Sequence, residues 1–330
     1  MPENSPPPHP ADTWEIRATF GERSRPVSHL AASPSGRFLV FVYGLAESPY
    51  STQIEGATLF RRMEDTFFPI GDLPVASGEI LVLDRGECIV VRADHQAVEF
   101  VRCLPRADWS GVEIATRWEP LTGLGLSAPE LGLLPPGREV IVGAQDRDDG
   151  HGWSEPVYTW AWRRVDLPTG RTVQESESLG GLGYLHLRRS AGQRWVLPQQ
   201  TGIDEEDLGR IRKILQKLAA TMQRPLCVGR KYVLSTREVI AIATGATVLG
   251  GLRQDHRPAR EFFDLSEDER WALAVDAGGQ MELWDLTTGA EQKMPPAEGA
   301  PTRAKCGAFL SRTEAVVGMD NGKGALLRMK

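Results

Sequence analysis

Three short stretches of the chain align without a gap: Val165-Asp166-Leu167-Pro168-Thr169-Gly170, Ile240-Ala241-Ile242-Ala243-Thr244-Gly245 and Trp284-Asp285-Leu286-Thr287-Thr288-Gly289. In each, alternating apolar residues run into a terminal Thr-Gly, the pattern of a strand closed by a turn. The last two glycines are 44 residues apart, close to the period of a four-stranded antiparallel unit. Such a unit leaves apolar faces and strand edges uncovered unless its neighbours stack on it. The chain is thereby directed to an all-β array.

A second signal recurs ahead of the apolar runs. SPSGR (33–37), LDRGE (83–87), LPPGR (134–138), RSAGQR (189–194), VGRK (228–231), SEDER (266–270) and LSRTE (310–314) each lead into branched, β-favouring residues. Glycine and small polar residues reverse the chain, and branched side chains then suit a pleated, buried strand. Around the best copy, FFDLS, WALAVD, MELWDL and AEQKM read as four successive strands.

On the segment 256–294 the chain resembles the WD40-type β-propeller family, and more weakly, by turn and strand pattern, over most of the remainder. That resemblance implies a structural hydrogen-bond network in which His256, Ser266, Trp284 and Asp285 take part. His256 falls ten residues before Ser266, as the family's spacing asks, but Gly278 stands where the family keeps an aspartate and Asp276 lies two positions early. The copy is divergent. The resemblance also implies ring closure. AKCGAFL, EAVVGM and GALLRMK supply three strands at the C-terminus, and WEIRATF, Trp14 to Phe20, supplies a fourth from the other end. The expected fold is a single all-β, WD40-like propeller over 13–330, preceded by a disordered proline-rich tail at 1–12. It has six or seven blades, with seven preferred.

Residues 204–223 break the β pattern. Leu208, Ile211, Leu215, Leu218 and Met222 recur at helical spacing, the first turn is acidic and Pro225 follows the end. A helical insertion is predicted at 203–223. Either it replaces the outer strands of a fourth blade, or it is inserted in a six-bladed ring. Its apolar stripe reads as packing onto the propeller or as a docking element for a partner.

Composition bounds the function. With a net charge of −6 there is no basic surplus for general nucleic-acid binding. No apolar run is long enough for a membrane span. Cys88, Cys103, Cys227 and Cys306 form no C-x-x-C pair and read as reduced thiols of a cytoplasmic protein. The proline- and arginine-rich composition suggests a bacterial source. The six histidines form no metal-binding spacing, and no nucleophile elbow or phosphate loop is present. In DRDDG (146–150) a glycine occupies the third ligand slot of a calcium loop, so the spacing fails. Trp160 and Trp162 share one strand face, either as core or as an exposed aromatic platform.

No catalytic, cofactor-binding or metal-ligating residue is identified, and no cofactor is expected. Function is argued from sites and not from fold. The resemblance implies a non-enzymatic interaction scaffold or regulatory subunit for a protein partner, in a signalling or defence complex. The candidate partner-binding residues are Leu208, Ile211, Leu215 and Leu218 on the helix, and Asp146, Asp148, Asp149 and Trp153 in a long loop at 144–157. A second long loop, 44–58, belongs to the same surface. The alternatives are a propeller enzyme with a central-channel metal site and a carbohydrate- or peptide-binding sensor.

Overall fold

The computed structural model describes residues 13–21, 25–48, 51–74, 80–93, 97–118, 121–122, 127–134, 138–148, 157–176, 185–189, 192–196, 204–221, 225–250, 260–294 and 303–330. An N-terminal strand, Trp14–Phe20, comes first. Sheet 1 takes Val27–Ala32, Phe38–Ser48, Ser51–Met63 and Thr66–Leu73 in chain order. Sheet 2 consists of Ile80–Val82, Cys88–Ala93 and Ala97–Pro105, with Val112–Arg117 and Leu121–Thr122 both paired to the third of these. Sheet 3 is built on Ser127–Leu134, Glu139–Asp148, Val157–Asp166 and Thr172–Ser176.

Helix α1, Glu205–Ala220, precedes sheet 4, which is Pro225–Val228, Tyr232–Ser235, Glu238–Ala241 and Thr247–Gly250. Sheet 5 is Arg260–Leu265, Trp271–Asp276, Met281–Asp285 and Ala290–Lys293. Sheet 6 combines Ala304–Phe309, Glu314–Met319 and Gly324–Met329 with the N-terminal strand.

The first strands of successive sheets pack on one another, and that of sheet 6 returns to that of sheet 1. The ring is a β-propeller. Between sheets 3 and 4 the interval is filled by a hairpin, Leu185–Arg189 and Gly192–Val196. Its second strand meets sheet 3 in a parallel pairing of Leu133 with Arg194, and its first packs against Pro225–Val228. The described residues therefore form six sheets, with the hairpin where a seventh would stand. The sixteen-residue helix takes up the chain that two outer strands of a full seventh blade would need.

The core lies in the seams. Leu39, Val40, Phe41 and Val42 are all buried, alternately toward sheet 6 and toward sheet 2. A strand covered on both faces reads as a continuous apolar run, which explains FLVFVY and WALAV. The three Thr-Gly turns are superimposable: the N–H groups of Gly170, Gly245 and Gly289 donate to the carbonyls of Asp166, Ala241 and Asp285 at 2.8, 2.8 and 2.7 Å. The three glycines have φ of 68°, 68° and 71°, left-handed values that glycine reaches without steric cost.

One expectation is corrected. The segment 44–58 is not a long loop but an extension of two central strands, with pairing in sheet 1 continuing to Ser48 and Ser51; in sheet 3 pairing continues to Asp148 and Val157, and residues 149–156 of the expected loop lie outside the described residues. Backbone pairing does not require apolar side chains, so polar residues prolong these strands beyond the core. The cysteines, scattered in sequence, include one adjacent pair: Cys88 and Cys103 face each other across sheet 2, both as free thiols. Among the described residues no helix is long and apolar enough to cross a membrane. The tail at 1–12 lies outside the described residues.

Closure joins Trp14–Phe20 to Gly324–Met329 in antiparallel register, from Trp14 with Met329 to Phe20 with Gly324. The Trp14 ring is buried edge-on against Trp271 and Phe309, each at 5.8 Å, so one residue ties the closing strand to the seam between sheets 5 and 6. Replacing Trp14 by Ala is expected to cost about 3–5 kcal/mol, read as a lower midpoint in urea unfolding. A loss below about 1 kcal/mol, the scale of ordinary surface changes, contradicts this account of closure.

Candidate functional site

One structural corner repeats around the ring. The residue just before the second strand of a sheet accepts a backbone hydrogen bond from the chain leaving the third strand. The pairs are Arg62 N–H to Arg37 O (2.8 Å), Leu167 to Arg138 (2.9 Å), Ile242 to Lys231 (2.8 Å), Leu286 to Arg270 (2.7 Å) and Met329 to Thr313 (2.9 Å). The residue preceding each donor sits in the same corner: Arg61, Asp166, Ala241, Asp285 and Arg328. In sheets 3 and 5 that residue is an aspartate facing an arginine, with Arg138–Asp166 at 2.9 Å and Arg270–Asp285 at 3.0 Å. Both carboxyls are held below the usual aspartate range, helped by hydrogen bonds from Thr169 and Thr287 and by the facing arginines.

In sheet 1 the corner is inverted. Arg37 keeps the arginine position and Arg61 stands where the aspartate would be. The Arg61 guanidinium lies 4.1 Å from the centre of the Trp109 ring, a cation–π contact. Trp109 comes from the turn that follows Ala97–Pro105 of sheet 2, and its other neighbour is Phe38, stacked at 5.7 Å and 22°. Its φ of 61° is left-handed, a strained setting for a bulky residue. Arg37, Phe38, Arg61, Arg62, Asp84, Arg85 and Trp109 line a cavity of about 550 Å³ at the seam between sheets 1 and 2.

The charges of this cavity do not cancel. Arg62 is neutralised by Glu314 of sheet 6 through a bidentate pair at 2.7 and 2.8 Å. Asp84 accepts the backbone N–H of Ser35 at 2.7 Å. Arg37, Arg61 and Arg85 carry no ion pair among the described residues. Arg37 and Arg85 are exposed, and Arg61 and Trp109 half-buried. A basic concave surface with an aromatic wall stands on a protein of net charge −6.

The sequence-predicted residues are placed elsewhere. Ile211 and Leu218, with Ile214, are buried against Val228, Val233, Ile240 and Ile242 of sheet 4, and Leu208 and Leu215 pack beside them. This corrects the docking reading of Leu208, Ile211, Leu215 and Leu218: the stripe covers the propeller's side, and the helix turns Arg212, Lys213, Gln216 and Lys217 to solvent. Asp146 and Asp148 lie on the extended strand of sheet 3, opposite Thr159 and Val157. Asp149, Trp153, Met222 and His256 fall outside the described residues, as do the side chains of Trp160 and Trp162.

The buried Ser266 Oγ accepts the N–H of Trp271 at 2.9 Å, and the Trp284 indole donates to Glu282 at 3.1 Å. Asp285 accepts from Thr287 N and Oγ1 and from Arg270. Ser266 and Asp285 thus hold turns and are linked through Asp268 and Arg270, while His256, the first residue of the expected network, lies outside the described residues. Burial pushes the Cys103 thiol up to about 11 and Cys306 to about 12, which leaves these thiols protonated and poorly nucleophilic near neutral pH.

The cavity was not anticipated, because it forms only where two sheets meet. A signal for it exists: aligning LFRR (59–62) with LWDL (283–286) puts Arg61 in the Asp285 slot. No family model matches the chain, and no curated protein is similar to it in sequence. Among solved structures, one titled "Structure of Dos1 propeller" is similar over 96% of this chain and 95% of that one, at 11% identity and a TM-score of 0.48.

The Arg62–Glu314 pair gives the cavity's edge a pH dependence. Hydrogen bonds from Arg62, then from Arg328, hold the Glu314 carboxyl below its ordinary 4.5. Ionised Glu314 therefore stabilises the folded state above about pH 4.5, and that contribution is lost as the pH falls through the lower folded value. In thermal unfolding across pH 3–6, Glu314→Gln is expected to lower the midpoint at pH 6 and to converge on the parent at the acid end. A gap of equal size at both ends contradicts the assignment.

Proposed function

We propose that the chain is a divergent WD40-type propeller acting as a non-enzymatic interaction or regulatory subunit that holds a protein partner. The observation that carries this reading is the seam cavity, lined by Arg37, Arg61 and Arg85 together with Trp109, over which the Arg61 guanidinium lies. Tryptophan and arginine in a concave setting are the residue types that dominate protein–protein affinity. The WD40 affiliation is supported by the Thr-Gly turns and by the Arg270–Asp285 corner. The extended hairpins of sheets 1 and 3 add surface around the ring. Four free cysteines, three of them buried, fit a cytoplasmic setting in a bacterial cell.

The test is affinity purification of the intact chain from its native host, identification of what co-purifies, and reconstitution from purified components. A stoichiometric protein complex is expected. A chain that stays alone while turning over a small-molecule substrate with a bound divalent metal overturns the proposal in favour of a propeller enzyme.

A further inference from the structure

We infer that the seam cavity between sheets 1 and 2 is a docking site for an acidic peptide segment of a protein partner, with Arg61 as its selecting residue. The inference rests on the interaction reading above and names the chemistry of its partner.

The argument is one of charge. Where the corner recurs with an arginine as its first residue, sheets 3 and 5 neutralise it internally with Asp166 or Asp285, while sheet 4 sets the neutral Ala241 beside Lys231. Sheet 1 puts a second cation there instead. Two guanidiniums in one corner repel each other unless an anion lies between them. Arg85, from the first turn of sheet 2, adds a third, and the one carboxylate lining the cavity, Asp84, is directed at the Ser35 backbone. Guanidinium forks match carboxylates in bidentate geometry.

The Trp109 ring, stacked on the buried Phe38 and covered by the Arg61 guanidinium, fixes that guanidinium at the cavity wall. Trp109 is held in a left-handed backbone conformation while it presents that ring. A nucleic acid fits less well, because it needs a run of cations along several phosphates. Here three arginines are gathered at one point of an acidic protein.

The experiment uses the full chain and a fluorescein-labelled peptide of glutamates and leucines, with a glutamine-for-glutamate counterpart, read by anisotropy at low salt. The acidic peptide is expected to bind and the glutamine peptide to bind at least about tenfold more weakly, as loss of a charged partner implies. Arg61→Asp rebuilds the Arg–Asp corner of the other sheets. It should therefore retain or raise the thermal midpoint while weakening peptide binding by about tenfold or more. Arg85→Asp, in an exposed turn, should weaken binding in the same direction, and Arg312→Asp, on the exposed surface of sheet 6, should leave it unchanged.

The inference is overturned if the acidic and glutamine peptides bind alike, if Arg312→Asp costs as much as Arg61→Asp, or if a single-stranded oligonucleotide outcompetes the peptide at this site. A native partner that co-purifies equally with Arg61→Asp sinks the site while leaving the interaction reading intact. Peptide binding by a chain that has no protein partner sinks the interaction reading alone.

Discussion

The ring depends on one antiparallel pairing, that of Trp14–Phe20 with Gly324–Met329. Without it sheet 6 has three strands and an unpaired edge, and the seam with sheet 5 loses Trp14. An open edge carries a row of unsatisfied backbone groups, each of which demands a partner. Gln292 of sheet 5 fastens the pairing from outside the sheet: its side chain accepts from Trp14 N–H at 2.9 Å and donates to Trp14 O at 2.8 Å. The two ends of the chain and the neighbouring sheet are thus held at one residue.

The same device operates at other seams. The Glu269 carboxylate accepts the backbone N–H groups of Arg230, Lys231 and Tyr232 in sheet 4, at 2.6, 2.8 and 3.1 Å. Asp264, buried, accepts from Phe309 N–H at 2.9 Å, and Asp84 from Ser35. Each carboxylate satisfies donors that strand pairing leaves over at the end of a neighbouring sheet. Acidic side chains are therefore committed to the seams, and Glu314 binds both Arg62 and Arg328 between sheets 1 and 6. Against that background the seam between sheets 1 and 2 differs, because its surplus is cationic: of Arg37, Arg61 and Arg85, none is paired with a carboxylate among the described residues, and Arg61 meets sheet 2 through the Trp109 ring.

Turns and strands were legible because each is set by local chemistry. The seven turn sequences lie between paired strands, and the Thr-Gly endings lie at equivalent positions. Helix α1 was legible for the same reason, from the spacing of Leu208, Ile211, Leu215 and Leu218. Which way that stripe faced was not, since burial against Val233 and Ile240 depends on how sheet 4 is placed. The strand extensions to Ser48, Ser51 and Asp148 were missed because these residues, like Asp146, are polar, and polarity marks the end of the core, not the end of backbone pairing. The cavity was hidden for a third reason: Arg61 and Trp109 belong to different sheets, and only the ring brings them within 4.1 Å. Half of the site was nevertheless written locally, in the replacement of an aspartate slot by Arg61.

The backbone carries the same information in another form. Most left-handed positions among the described residues are glycines, but Glu64, Trp109 and Glu269 also take positive φ. A non-glycine residue in that region costs about 1–2 kcal/mol, and the cost persists where the side chain performs a task that glycine cannot. Glu269 performs one, as the clamp on sheet 4. Glu64 shapes the tight turn that presents Asp65 to Arg328 at 2.6 Å. Trp109 differs from both, because its ring joins no sheet by a hydrogen bond. It lies between Phe38 and the Arg61 guanidinium, at the wall of the cavity. The strained Trp109 thus joins sheet 2 to Phe38 and Arg61 of sheet 1 through ring contacts, where the other seams use carboxylates and backbone donors.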